Sequence, residues 1–381
     1  MPRVLGVSDL HTDYPANLEW ARQLSESTAH RDDVLVVAGD VSDDLGTFGE
    51  TMRLLTRAFR AVAFVPGNHD LWVRRKERGL YDSLGKLERL TALCGELGVA
   101  TAPTRYAEDG LGDVEGVLAA LEDGDGAGVG GGSRRVTPPP SVHLDAVPPV
   151  YVFPVLSWYH SSWDREPDVL GATPIERVMM DFHVCSFASE PHLEGCGHES
   201  VAEHLDLLNE PGFSRALTAL EAERAARRAR GLPPPVVVSA SHFLPHQALL
   251  PDKRFLRFPN LAKASGSDYL SRRVEALGPH VHIFGHTHFR WDATLPDGVR
   301  YVQCPLGYPA ERARNGSSSR PWEPWVLAEP DEVLRAWQED IERGEGGFPA
   351  QKQCYWSSMI PNEVSAMRYR QGLQGREGGE Y

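Results

Sequence analysis

Five short polar clusters in this sequence carry side chains that could do chemistry. Ser8-Asp9-Leu10-His11, Gly39-Asp40, Gly67-Asn68-His69-Asp70, Ser241-His242 and Gly285-His286-Thr287-His288 each follow directly on an apolar run. Asp, His and Asn offer oxygen and nitrogen donors. That set suits Mn, Fe, Zn or Co and has no place for a thiolate site. Asp9 and His11 are two residues apart, as are His286 and His288. In extended backbone each such pair points to one side. Gly39, Gly67 and Gly285 stand where the chain leaves its run, where turns need unusual dihedrals and backbone must come close to a ligand. Two carboxylates with several His and an Asn exceed what one tetrahedral ion takes. They suit two ions sharing one carboxylate, about 3.5–4 Å apart, which can clamp a phosphate and generate a hydroxide nucleophile. Alone, D-x-H or G-D is ordinary turn chemistry. The ordered set of five, each after a strand, argues for a site.

The elements that must position these clusters alternate. Strands are expected at Arg3–Val7, Asp33–Ala38 and Ala61–Val65, with helices over Pro15–Ser25, Leu45–Phe59 and Leu80–Leu97. The continuous apolar run Asp33–Ala38 marks a strand buried on both faces. This is βαβ architecture, and in an open α/β sheet ligands bind at the carboxyl ends of the strands. Further strands are expected at Pro149–Leu156, Val236–Ala240, His280–Phe284, Phe289–Leu295 and Val299–Cys304, and helices at Glu199–Asn209 and Ser214–Arg230. Residues 108–140 include EDGDGAGVGGG and TPPP and read as a low-complexity flexible insertion. That tract lacks the Lys and Ser/Thr of a phosphate-binding loop. The run Arg224–Arg230, interleaved with Ala and preceded by Glu221 and Glu223, reads as a solvated helix face.

The clusters resemble the calcineurin-like metallophosphoesterase superfamily. Its signature is D-x-H, G-D, G-N-H-[DE], a strand-terminal His and G-H-x-H. Asp9/His11, Gly39-Asp40, Gly67-Asn68-His69-Asp70, His242 and Gly285-His286-Thr287-His288 match each element in order. The resemblance covers roughly residues 3–100 and 235–310. It implies an α/β fold, a four-layer α/β/β/α sandwich with a long insertion. Residues 1–107 and 235–330 would be its core, 141–234 a strand with a cap-like insertion and helices, and 331–381 a helical or irregular extension.

It also implies a dinuclear site. Asp9, His11, Asp40 and His288 would hold one divalent ion, and Asp40, Asn68, His242 and His286 the other, with Asp40 bridging. Manganese is favoured among Mn, Fe, Zn and Co. His69 would bind no metal and would serve the phosphate or leaving group. Asp70 would orient His69 and stabilise its imidazolium. A bridging hydroxide would attack phosphorus in line. Two divalent ions outweigh Asp9, Asp40 and one hydroxide, so the site attracts an anionic phosphoester although the chain is acidic.

The expected function is metal-dependent hydrolysis of small soluble phosphoesters, as a phosphomonoesterase or phosphodiesterase. A cyclic-nucleotide or nucleic-acid phosphodiesterase is the alternative. A non-catalytic metal-bound module is a further one, against which the intact His69–Asp70 pair stands. Protein Ser/Thr phosphatases of the superfamily carry G-D-x-x-D-R-G and G-N-H-E. Here Asp43-Asp44-Leu45 brings no Arg and Asp70 replaces Glu, which disfavours that branch. Purple acid phosphatases carry a Tyr where Asp43 stands. Ser157–Arg165 follows the strand ending at Leu156. There Trp158, Tyr159 or Trp163 could stack on a base or aryl group, and His160 or Arg165 could touch phosphate. Trp158 and His160 therefore join Asn68 and His69 as candidate substrate contacts, set against a reading in which the aromatics cap a core. Tyr301–Pro309 is expected at the rim near His288.

Composition narrows the classes. The 381 residues carry 39 Lys and Arg against 53 Asp and Glu, a net charge of −14. Such a surface repels nucleic-acid backbones and anionic lipid, so neither partner is expected. With 41% hydrophobic and 24% charged residues, wholesale disorder is excluded. No apolar run reaches membrane-spanning length. The first residues already read as a strand, with no signal peptide, so a cytoplasmic location is expected. The five cysteines are odd in number and include no C-x-x-C, which fits a reducing compartment.

Overall fold

Apolar runs buried on both faces pair into two sheets. The computed structural model describes residues 2–107, 110–112, 147–314, 322–332 and 335. The low-complexity tract 108–140, apart from 110–112, and nearly all of the extension 331–381 lie outside the described residues. The first sheet has the order β12-β1-β2-β3-β4, from β1 (Val4–Val7), β2 (Val34–Ala38), β3 (Ala61–Val65), β4 (Val99–Ala100) and β12 (Trp325–Ala328). Its inner strands β1, β2 and β3 are parallel, and β12 closes the edge antiparallel to β1. The second sheet comprises β5 (Thr104–Ala107), β6 (Gly110–Gly112), β7 (Val150–Pro154), β8 (Val236–Ala240), β9 (Val281–Phe284), β10 (Trp291–Thr294) and β11 (Arg300–Gln303), in the order β10-β11-β9-β8-β7-β5-β6. Strands β7, β8, β9 and β11 are parallel in it.

The two sheets share one apolar layer. Val34, Val36, Ala38 and Val65 of the first join Val150, Val152, Val238 and Ile283 of the second in a single buried cluster. Helices α1 (Pro15–Glu26), α2 (Leu45–Ala58) and α3 (Ser83–Leu97) accompany the first sheet, and Phe48 of α2 meets Phe64 edge to face at 5.1 Å. Helices α4 (Glu199–Leu207), α5 (Gly212–Ala229), α6 (Asp268–Leu277) and the short α7 (Pro309–Arg314) follow. The architecture is a four-layer α/β/β/α sandwich.

Several boundaries differ from expectation for local reasons. Helix α3 starts at Ser83 rather than Leu80 because the Asp82 side chain accepts the Leu84 and Gly85 amides as its N-cap. Of the helices expected between 141 and 234, α5 packs on the second sheet: Phe213 meets Phe153 at 5.7 Å, and buried Glu223 accepts from Arg105 (2.9 and 3.0 Å) and Tyr151 (2.6 Å). Within the basic run, Arg227 is buried and donates to the Pro233 carbonyl, so one side of that helix faces the protein and not water.

One buried polar link makes a prediction about pH. His282 in β9 sits between the hydroxyls of Ser239 (2.7 Å) and Ser241 (2.9 Å). Burial, with the His246 charge nearby, pushes it down to about 3. The unfolded chain takes up that proton near 6.5. The neutral ring's stability is therefore complete above about 6.5 and is lost as pH falls towards about 3, at about 1.4 kcal/mol per pH unit. Urea unfolding between pH 6.5 and 4 should show this slope, reduced by that amount in His282→Asn. Equal slopes in the two proteins would refute it.

Candidate metal centre

The structure brings all seven candidate ligands together at the carboxyl ends of β1, β2, β3, β8 and β9. The backbone that does so is not extended. Asp9 (φ 51°), His11 (φ 43°), Asp40 (φ 55°), His286 (φ 75°) and His288 (φ 56°) are the non-glycine residues with positive φ among those described. The i, i+2 pairs therefore share a direction through left-handed turns, a correction to the extended-backbone expectation. Such conformations cost about 1–3 kcal/mol each and persist where the surroundings over-determine them.

Those surroundings are visible. The Asp9 amide donates to Gly39 O (3.0 Å) and the His11 amide to Asp40 O (2.9 Å), locking the first loop onto the second. Asn17, buried in α1, donates from Nδ2 to the carbonyls of Leu10 (2.7 Å), His11 (3.2 Å) and Gly307 (3.0 Å). Gly67 has no alternative residue: a Cβ there would strike Asp40 Oδ1 and stand 2.7 Å from the His242 ring.

Asp70 departs from its expected role. Its carboxylate accepts the backbone amides of Asp40 (2.8 Å), Val41 (2.9 Å), Ser42 (3.1 Å) and Gly67 (2.8 Å), and among the described residues it makes no hydrogen bond to the His69 ring. It ties the loop after β2 to the loop after β3. Burial, then the charge of Asp40, raises it to about 7.

Asp40 stands at the centre. Oδ1 lies 3.4 Å from His242 Nε2 and accepts the His69 amide at 2.9 Å. Oδ2 lies 3.9 Å from His11 Nε2 and 3.9 Å from His69 Nε2. The donor atoms of Asp9, His11, Asp40 and His288 lie within 4.8 Å of one another. On the other side, Asn68 Oδ1 lies 3.0 Å from His242 Nε2 and 3.1 Å from His286 Nδ1. One carboxylate thus offers an oxygen to each of two donor groups.

The donor chemistry fits divalent ions. His11 Nε2 and His288 Nε2 face each other at 3.0 Å, an arrangement of two imidazole nitrogens that a shared cation satisfies. His288 Nδ1 meets Glu311 Oε2 at 2.8 Å, and His242 Nδ1 meets Ala38 O at 2.9 Å. With Nδ1 donating in each, Nε2 keeps its lone pair for a metal. His286 turns Nδ1 into the same cluster, 3.1 Å from Asn68 Oδ1. The titrations are pushed apart, as at functional sites. Burial and then His69 hold His11 well below its usual value. Burial and then His242 take His286 down to about 3. Against burial, Asp40 carries His242 up to about 9.

His69 sits at the rim. Its ring stacks on Trp72 at 3.6 Å and meets His11 edge-on at 4.7 Å. The two other substrate candidates are not at the site. Trp158 is fully buried, donates to Cys196 O (2.7 Å) and packs on Tyr159 and Phe243. His160 is 1% exposed, with Nδ1 at Ser162 Oγ (2.8 Å) and Nε2 accepting the Asp268 amide (3.2 Å). Following a strand end placed them near the site in sequence, but their side chains turn into the core. Arg165, exposed, pairs with Asp268.

Sequence reasoning missed Asp181 and Glu311, whereas Tyr308 lies in the segment Tyr301–Pro309 expected at the rim, 4.8 Å from the His288 ring. Buried Asp181 takes Asn68 Nδ2 (2.9 Å) and Trp72 Nε1 (2.6 Å) on one oxygen and the Tyr159 hydroxyl (3.1 Å) on the other. It turns Asn68 Oδ1 towards the two imidazoles. No local motif announces it, since it lies in a helical turn far along the chain. Removing such a partner typically costs 10–100-fold in metal affinity. Asp181→Ala should therefore lose affinity at one of two metal positions by about that factor in chelator competition. Unchanged affinity at both would remove Asp181 from the centre.

Comparison with known proteins agrees with this geometry. The family model for calcineurin-like phosphoesterases matches residues 2–186. The acyl-carrier-protein phosphodiesterase PptH of Mycobacterium tuberculosis is 36% identical over 100 residues, which is 26% of this chain and 30% of that relative. The match thus spans under a third of that relative's length. The crystal structure of the phosphopantetheinyl hydrolase PptH from Mycobacterium tuberculosis superposes with a TM-score of 0.53 at 21% identity, covering 87% of this chain and 97% of that one. That likeness is one of fold.

Proposed function

We propose that the chain, whose residues 2–186 match the family model for calcineurin-like phosphoesterases, is a metal-dependent phosphodiesterase of that kind. The observation that carries this reading is Asp40, with an oxygen towards each of two donor groups and the His69 ring beside them. Asp9, His11, Asp40 and His288 would hold one divalent ion, and Asp40, Asn68, His242 and His286 a second. Ions bound there supply Lewis acidity and make water nucleophilic near neutral pH. Glu311 and the Ala38 carbonyl keep His288 and His242 in the ligating tautomer, and Asp181 orients Asn68. Trp72 backs the His69 ring, and His69 passes a proton to the departing ester oxygen.

The similarity to PptH favours a diester over a monoester. It also suggests that the ester arm is a protein-bound phosphopantetheinyl group, where the sequence had pointed to a small free molecule. A nucleic-acid substrate fits poorly with the charge of −14. Manganese remains our preferred metal. Cys94, Cys185, Cys196 and Cys304 are free thiols, in keeping with a reducing, cytoplasmic setting. Among the described residues no helix is long and apolar enough to cross a membrane.

The test uses metal-stripped protein given Mn, Zn, Fe, Co, Ni or Mg in turn. Hydrolysis of p-nitrophenyl phosphate and bis-p-nitrophenyl phosphate is compared, with release of phosphopantetheine from holo-acyl carrier protein as a third arm. Faster diester turnover is expected. Two bound ions with no turnover of any substrate would return the site to a binding module.

A further inference from the structure

The segment after β11 holds a second aromatic wall beside the metal centre. It runs along the first ligand loop: Ser8 N donates to Cys304 O (3.1 Å), Leu306 N to Ser8 O (2.9 Å) and Gly307 N to Asp9 O (2.9 Å). Gly307 then turns the chain at φ 68°, a left-handed conformation suited to glycine. Its carbonyl is held by Asn17 (3.0 Å) and Arg312 (2.8 Å). The next residue is Tyr308. Its amide donates to Glu311 Oε2 (3.0 Å), the same oxygen that meets His288 Nδ1.

The Tyr308 ring is placed as tightly as its backbone. It stacks on His11 at 4.4 Å and 29°, meets His288 edge-on at 4.8 Å, and lies 5.3 Å from Tyr14. His11 is thus flanked by His69 and Tyr308. The half-buried Tyr308 side chain makes no hydrogen bond among the described residues, and Tyr14 beside it is 45% exposed. A phenol is a neutral O–H donor at neutral pH. So rigid a residue, with its one polar atom uncommitted beside a cation site, is poised for an anionic ligand.

We propose that Tyr308 contacts the substrate, its phenol donating a hydrogen bond to a non-bridging oxygen of the phosphoryl group while the Tyr14 ring packs against the ester arm. This rests on the phosphoesterase reading above. Nothing covalent forms at Tyr308; it binds and orients the phosphoryl group opposite His69.

Tyr308→Phe keeps the ring and its stacking and removes only the hydroxyl. A hydrogen bond to a charged group is worth about 10- to 100-fold. Tyr308→Phe should lose that factor in kcat on bis-p-nitrophenyl phosphate, with an unchanged metal count per chain. In calorimetry of the manganese-loaded protein, its affinity for inorganic phosphate should fall about 10-fold or more. Tyr14→Ala should instead raise KM for the diester and leave phosphate affinity alone. Wild-type kcat and phosphate affinity in Tyr308→Phe would overturn the proposal. If the wild type turned over no phosphoester, the functional reading would fall, and phosphate calorimetry would still decide Tyr308: equal binding, or none in the wild type, overturns it.

Discussion

Asp40→Asn is expected to strip both ions from the protein and to lower turnover by on the order of 10³-fold or more. The wild type should carry two ions per chain after dialysis, and the variant none, by elemental analysis. The reason is geometric. Asp40 is the residue whose two oxygens face different donor groups, 3.4 Å from His242 and 3.9 Å from His11. An amide keeps the shape but offers one neutral oxygen, too weak a ligand to hold two cations. The fold should survive, because the loops on either side are tied by Asp70, which accepts the Asp40, Val41 and Gly67 amides. An Asn variant that still holds two ions per chain would show that Asp40 does not bridge.

His69→Ala is expected to give the opposite split, with both ions retained and kcat lowered by about 10²–10⁴-fold, the usual contribution of a positioned proton donor. His69 reaches the centre from its rim: Nε2 stands 3.9 Å from Asp40 Oδ2, and its amide donates to Asp40 Oδ1 at 2.9 Å. That amide bond survives any substitution except Pro, so the ligand loop should hold. Because Ala also removes the stacking on Trp72, His69→Asn is the companion variant. Unchanged turnover in the two variants would leave the proton to solvent and His69 without a catalytic part. Metal loss in both would instead make it a ligand.

How much of this was legible depended on whether the information was local. The strands β2, β3 and β8 could be read to within a residue, because continuous Val-rich runs bounded by Gly, Pro or Ser have few other uses. The strand β12 was not legible. Four residues of middling apolarity become a strand only because β1 has a free edge to pair with. Trp158 and His160 show the opposite failure. Their residue types and their position after a strand suggested a site mouth, yet the fold turns the indole onto Tyr159 and Phe243 and the imidazole onto Ser162 and the Asp268 amide. Aromatic content cannot distinguish a substrate platform from a core, since burial drives both.

The sequence by itself determined the donor inventory and its ends of strands: Asp9, His11, Asp40, Asn68, His69, His242, His286 and His288, each set by the turn that leaves a buried strand. Strand order and parallel pairing then bring those turns to one edge, because parallel strands present their carboxyl ends on the same side. Only the tertiary structure decided how the donors are aimed and held. The left-handed turns at Asp9, His11, Asp40, His286 and His288 are unfavourable alone and exist because neighbouring loops hydrogen-bond to them. Asp70, Asp181, Glu311 and Tyr308 acquire their parts from residues distant in sequence, through contacts that no local pattern encodes. A ligand's identity is a property of one side chain. Its direction is a property of everything packed around it.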